Sequence, residues 1–234
     1  MTLLYVFPHP DDESFGPGPA IASQVRQGHA VHLLTLTRGG ATSIREDLGL
    51  SIEEMGAVRE REMRDVAETL GLDLTVLDYP DGELAGLDPR VLEAEIEEAI
   101  ARTRPDVVVT YDTHGNSVHP DHLVAHAVVK RAFCAARERD GGPRRLALFA
   151  LVREAMTDDA PEHLHGTPLS EIGAVVAFTD ADHRKAQAAL DCYETYAPVI
   201  EEHQPLRQVT DGVGFVLFQE PRDQPLDSLT AGLD

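Results

Sequence analysis

Residues 3–13 read LLYVFPHPDDE, an apolar run that ends abruptly in a loop holding a histidine, two prolines and three carboxylates. A short run so rich in Leu, Val and aromatic side chains predicts a strand buried on both faces. AVHLLTL (30–36), DLTVL (73–77) and DVVVT (106–110) have the same character. Between them lie helical patterns. Ser51 with Glu54 three residues on forms a capping box, Met55, Val58, Met63, Val66, Ala67 and Leu70 follow at helical spacing, and Gly71 ends the run. Asp88-Pro89 supplies a cap and a first helical position for a segment carrying Leu92, Ile96 and Ile100. Strands alternating with helices predict an α/β fold: a Rossmann-like, doubly wound, mostly parallel sheet with helices on both faces.

Past residue 140 the rhythm loosens. RLALFAL (145–151), AVVAF (174–178) and VGFVLF (213–218) still read as strands, while 152–172 has no periodicity. The expected organisation is a single domain over 1–234: a regular βαβ part (1–140), a less regular β-containing C-terminal part (141–220) and a poorly packed tail (221–234).

At 234 residues and 42% apolar content the chain can bury a sizeable core. Its 41 acidic against 20 basic residues repel phosphate backbones and anionic lipid, which disfavours nucleic-acid and membrane partners. Only Lys130 and Lys185 among the basic residues are lysines. Cys134 and Cys192 lack CxxC spacing, so neither a disulfide framework nor a thiolate zinc site is expected. No signal-peptide pattern and no membrane-spanning run is present, and a cytoplasmic location is expected.

In an open α/β sheet, ligands bind beyond the carboxyl ends of the strands. The acidic loop falls there, and so does YDTHGNSVHPDH (111–122), directly after the fourth strand. Together the two loops offer His9, Asp11, Asp12, Glu13, Asp112, His114, His119, Asp121 and His122. A catalytic zinc commonly takes three His and Asp/Glu ligands and leaves one position open. His9 and Asp12 are close enough in sequence to share an ion. Pro120 suits the first position of a helix, which puts His119 at its cap and His122 in its first turn.

PHPDDE, TRGGAT (37–42), VREREMRDVAETLG (58–71), YPDGEL (79–84) and HPDH (119–122) stand in the order found in the zinc-dependent deacetylases of the LmbE/PIG-L-like family, which the chain resembles over residues 3–130. The resemblance implies a hydrolase that removes acetate from an N-acetylglucosamine-type amino sugar, with one Zn2+ per chain. It implies His9, Asp12 and His122 as ligands and Asp11 as general base. His119 is implied as the group serving the oxyanion or leaving amine, oriented by the Asp121 carboxylate. Arg59 and Asp81 are the implied sugar contacts. One departure is KAQAALDCYETY (185–196), where Cys192 stands near a histidine of the family pattern.

Other readings stay open. His122 and His126 form an HxxxH pair, a rival ligand set, although without a glutamate base His126 reads better as a packed residue. Asp112 and His114 serve substrate or loop, and Arg59 with Glu62 fits an i,i+3 ion pair. His29, His32, His163, His165, His183 and His203 read as surface or core residues, and Cys134 as packing. A dinucleotide site is disfavoured because the first loop lacks GxGxxG. A hydrolase of another amide or an ester, and a non-catalytic sugar- or metal-binding protein, remain alternatives. A His₂Asp site also accepts Fe²⁺, Co²⁺ or Mn²⁺. Arg38, Arg45 and Arg59 could form a basic patch for an anionic substrate, and a homo-oligomer is compatible with the sequence.

Overall fold

β1 (Thr2–Phe7) lies at the centre of a mixed sheet in the computed structural model, which describes residues 1–209 and 212–233. Its parallel neighbours are β2 (Ala30–Thr37) and β4 (Val107–Tyr111), and β3 (Asp73–Tyr79) and β5 (Arg145–Val152) extend the parallel set on either side. The full order is β3-β2-β1-β4-β5-β8-β7, with β8 (Val213–Leu217) antiparallel to β5 and to β7 (Ala174–Val176). The two-residue β6 (Gly166–Thr167) pairs with the end of β5. The strand order reverses between β1 and β4, so the loops leaving these two strands open into one crevice.

Alternation along the strands builds two apolar layers. Leu3, Tyr5 and Phe7 join Val107, Val109 and Tyr111 on one face, while Leu4, Val6 and Val108 face the other. The first layer is covered by α1 (Gly18–Arg26), α3 (Ile52–Leu70) and α6 (Asp180–Leu190), the second by α4 (Pro89–Thr103) and α5 (Pro120–Ala136). The short α2 (Ile44–Asp47) and α7 (Ala197–His203) sit in connections. The predicted starts hold: the Ser51–Glu54 capping box forms, Asp88 caps α4 before Pro89, and His119 caps α5 before Pro120. Gly71 ends α3 at φ 78°, a conformation that costs glycine little.

The expectation of a poorly packed tail holds for residues 221–225, which are exposed, and fails from Leu226 onward. Leu226 exchanges backbone hydrogen bonds with Val175 and Gly173 (2.8 and 2.9 Å), Leu229 is buried, and the fully buried Arg145 guanidinium donates to Glu220 and to the carbonyls of Leu229 and Ala231. The sequence hid this packing because its anchors are single contacts with no periodic pattern. Among the described residues no helix is long and apolar enough to cross a membrane.

Candidate active site

The β1 and β4 loops meet as expected, together with the loop after β3. His9, His119 and His122 bring their rings within 4.8–5.3 Å of one another. Asp12 lies between two of them: His122 Nε2 is 3.3 Å from its Oδ1, and His9 Nδ1 is 3.6 Å from its Oδ2. The Tyr111 hydroxyl donates to Asp12 Oδ1 (2.6 Å) and its ring stacks on His122 at 4.2 Å. Burial alone would raise the Asp12 carboxyl, but the histidines and Tyr111 hold it below its ordinary range.

The hydrogen bonds around these rings fix their tautomers. His122 Nδ1 donates to the Gly115 carbonyl (2.8 Å), so its Nε2 lone pair faces Asp12. His9 Nε2 donates to the Asp121 carboxylate (3.2 Å), so its Nδ1 lone pair also faces Asp12. In the neutral rings two lone pairs and a carboxylate thus converge, a donor set suited to a cation; burial alone would lower the His9 pKa, but Asp121, Asp12, Asp81 and Asp11 raise it, so an ion bound here takes the place of a proton. His119 differs. Its Nδ1 accepts from the Asp121 backbone N–H (3.2 Å), which leaves Nε2 protonated in the neutral ring. His119 comes close enough to join His9 and His122 in one ligand group, and Asp81 and Asp121 to join His9 in another, while this tautomer makes His119 a donor. Burial and then the neighbouring histidine charges lower its basicity, which favours the neutral donor.

Asp121 departs from its expected part. The buried carboxylate accepts from His9 Nε2, Gly82 N (2.8 Å) and Leu84 N (3.1 Å), so it orients His9; only the backbone of Asp121 serves His119. Asp81 shares in holding His9, with Oδ1 3.3 Å from Nε2 while Oδ2 accepts from Ala41 N (2.7 Å).

Asp11 sits at φ 88°, unusual for a residue with a side chain. Its N–H donates to the Tyr193 hydroxyl (2.8 Å), and its Oδ2 accepts from Arg59 (2.5 Å). Burial pushes this carboxyl above its ordinary range against the opposing pull of Arg59. Arg59, expected to touch sugar, is 2% exposed and also donates to the Pro10 and Gly39 carbonyls under the Tyr196 ring. The structure therefore ties its guanidinium chiefly to Asp11 and the loop backbone. The i,i+3 pair with Glu62 is not among the described ion pairs, because Glu62 accepts from Thr195 N and Oγ1 (both 2.8 Å).

The remaining open readings resolve from contacts. Thr167 Oγ1 donates to Asp112 (2.7 Å) and lies 3.0 Å from His114 Nε2, so this pair locks the loop to β6. His126 Nδ1 donates to the Tyr111 carbonyl (3.0 Å) and is packed. Arg38 pairs with Glu60 and Arg45 with Glu46, so no free basic patch forms around Arg59.

The reactive groups open on a cavity of about 360 Å³ with an apolar wall that includes Phe15, Phe149, Leu151 and Leu164. Sequence reading missed several of its features. His163 and His203 line it, although nothing in their surroundings marked them. The DCYETY departure proves to be a brace: Tyr193 supports Asp11, Thr195 holds Glu62 and Tyr196 covers Arg59. Glu13, fully buried, accepts from Tyr193 (2.8 Å) and Ser14 (2.6 Å), and burial raises its carboxyl to about 7. The doubled YxxY aromatics were the only available signal.

Residues 4–133, more than half of the chain, match the family described as PIG-L, GlcNAc-PI de-N-acetylase. A curated relative from Geodermatophilus obscurus, named 1D-myo-inositol 2-acetamido-2-deoxy-alpha-D-glucopyranoside deacetylase, is 38% identical over 58% of this chain and 54% of its own length. The chain spans about half the length of the first such relatives it matches. Among solved structures, a conserved protein from Thermus thermophilus aligns with TM-score 0.66 and 25% identity over 94% of this chain and 95% of that one. N,N'-diacetylchitobiose deacetylase from Pyrococcus horikoshii aligns with TM-score 0.68 and 21% identity over 96% and 86%, a likeness of fold.

Proposed function

This chain belongs to the PIG-L, GlcNAc-PI de-N-acetylase, family, and from that premise we propose that it hydrolyses the N-acetyl amide of an N-acetylglucosamine-type glycoside, giving acetate and the free amine. The observation that carries the reading is the convergence of His122 Nε2, His9 Nδ1 and Asp12 beside Asp11, a carboxylate that Arg59 leaves outside the cation site. His9, Asp12 and His122 would hold one divalent ion. Zinc suits these donors, which also accept Fe²⁺ or another divalent ion. When bound, the ion supplies a Lewis acid for the acetyl carbonyl and makes water a nucleophile near neutral pH.

The chain's own residues do the rest. Asp11 takes the proton of the attacking water as general base; the Tyr193 hydroxyl holds its backbone N–H and Arg59 orients its carboxylate. His119 offers Nε2–H as a hydrogen bond to the developing oxyanion, and the proton that Asp11 took from the water passes to the leaving nitrogen, which is too basic to depart unprotonated. Asp121 and Asp81 hold the His9 ring. Carboxylate-lined walls with every nearby arginine already paired suit a neutral sugar better than a highly anionic one. A small-molecule amino sugar is therefore the proposed partner.

The test combines composition with turnover. Purified protein should carry about one divalent ion per chain and release amine from a panel of N-acetylated glucosaminides. Asp11→Asn should lower kcat by about 10²–10⁴-fold with the ion retained. Full metal content without activity on any amide refutes the reaction, and an Asp11→Asn variant as fast as its parent refutes the base.

A further inference from the structure

The loop between β4 and α5 carries an asparagine that the chemistry above does not use. Asn116 is 5% exposed and lines the cavity, yet neither its amide oxygen nor its amide nitrogen has a hydrogen-bond partner among the described residues. Buried side-chain polar atoms are paired in the large majority of cases, so a carboxamide with both ends free calls for an external partner. Its backbone is held firmly. The Asn116 N–H donates to His114 Nδ1 (3.1 Å), its carbonyl accepts from His165 N (2.7 Å), and φ is 56°, a conformation asparagine tolerates better than most residues. The Asp112–Thr167–His114 lock thus fixes the main chain of Asn116 beside the cavity, and its carboxamide is left buried and unpaired there.

We propose that Asn116 is a specificity residue whose carboxamide hydrogen-bonds ring hydroxyls of the substrate, an inference that rests on the amino-sugar reading above. A carboxamide presents an acceptor oxygen and donor hydrogens in one plane, so its partner must both donate and accept. An N-acetylated pyranose offers two such groups, the amide and its hydroxyls. The amide is the reacting group, engaged by the cation site and His119. Hydroxyls are what remain for Asn116. A site built around such bonds discriminates strongly against analogues lacking the group, because its own buried atoms are then left unpaired.

Asn116→Gly and Asn116→Asp separate recognition from folding. Glycine accepts the positive φ without strain, and aspartate keeps the shape while losing the donor hydrogens. Binding of methyl N-acetylglucosaminide and its 3-, 4- and 6-deoxy analogues to zinc-loaded protein is measured by calorimetry, beside turnover and Tm. The expected result is at least about tenfold weaker binding in both variants. At least one deoxy analogue should bind poorly to the parent protein and no more poorly still to Asn116→Gly, and Tm should not fall, since an unpaired buried group is removed. Affinity within about twofold of the parent, a deoxy penalty unchanged by the substitution, a lowered Tm, or no binding of the sugar by the parent protein overturns the proposal. Binding without turnover removes the deacetylation reading separately, and the Asn116 assignment is then decided by the affinities.

Discussion

Replacing Arg145 by methionine should loosen the C-terminal segment and lower global stability by about 3–4 kcal/mol. Arg145 opens β5, is 1% exposed, and engages every guanidinium nitrogen: Glu220 at 3.0 and 2.9 Å, Leu229 O at 2.6 Å and Ala231 O at 3.1 Å. Methionine fills most of the same volume, so the loss is one of charge and hydrogen bonding rather than a cavity. Removing one member of a buried ion pair costs about 3–5 kcal/mol. Glu220 retains Arg222 at 2.9 Å and is 24% exposed, which places the pair at the low end of that range. The two released carbonyls add about 0.5 kcal/mol each once they reach water. At about 2–4 °C per kcal/mol for a chain of this size, Tm should fall by about 6–16 °C. Urea unfolding is followed by circular dichroism, since the chain has no tryptophan. Proteolysis should cut within 221–233 before global unfolding. Arg145→Lys should recover little, because a point charge cannot span the carboxylate fork. A loss below about 1 kcal/mol, or a lysine variant as stable as the parent, refutes the reasoning.

Asp182 gives a pH signature. Burial alone would raise its carboxyl, but Arg26 (2.8 and 2.9 Å) and Thr179 bring it from 3.8 down to about 2. A depressed folded value stabilises above the unfolded pKa and is lost as pH falls from about 4 through about 2, so Asp182→Asn should lose about 2 kcal/mol at pH 7 and progressively less in that window, read from urea midpoints. Gly115→Ala sets a Cβ 2.5 Å from His122 Cβ at φ 59°, and should weaken zinc binding by about 10–100-fold with the fold kept, measured by chelator competition. Tyr193→Phe strips Asp11 N–H of its acceptor and Glu13 of a donor; about 1–3 kcal/mol of stability should go, and kcat should fall more than KM changes.

How much of this was legible depends on how far apart the contributing residues lie. β1 to β4, the capped starts of α3, α4 and α5, and the two ligand loops announce themselves through local pattern: apolar runs, a capping box, proline after a cap. The placement of β8 between β5 and β7 could not be read, because an apolar run says nothing of its neighbours in a sheet. Motif points to Asp11, Asp12, His9 and His122, but it does not tell which carboxylate serves which imidazole. Proximity in sequence assigns Asp121 to His119, whereas its side chain turns to His9, 112 positions away. Tyr193, Thr195 and Tyr196 lie on a stretch without periodicity, and their purpose exists only when α3 and the first loop are beside them. Asn116 left no trace in sequence, since a polar residue in a polar loop is unremarked until its burial is known.

The Tyr193–Asp11 bond joins positions 182 apart, which gives the molecule a timetable. On a ribosome adding about 5–20 residues per second, Asp11 waits about 10–40 s for the hydroxyl that supports it. β7 waits far less, since its partner β8 begins 37 residues after β7 ends (213 against 176). Nascent chains therefore carry both histidine loops before Asp11 has its brace, so the competence of the first loop waits on residues made long after it.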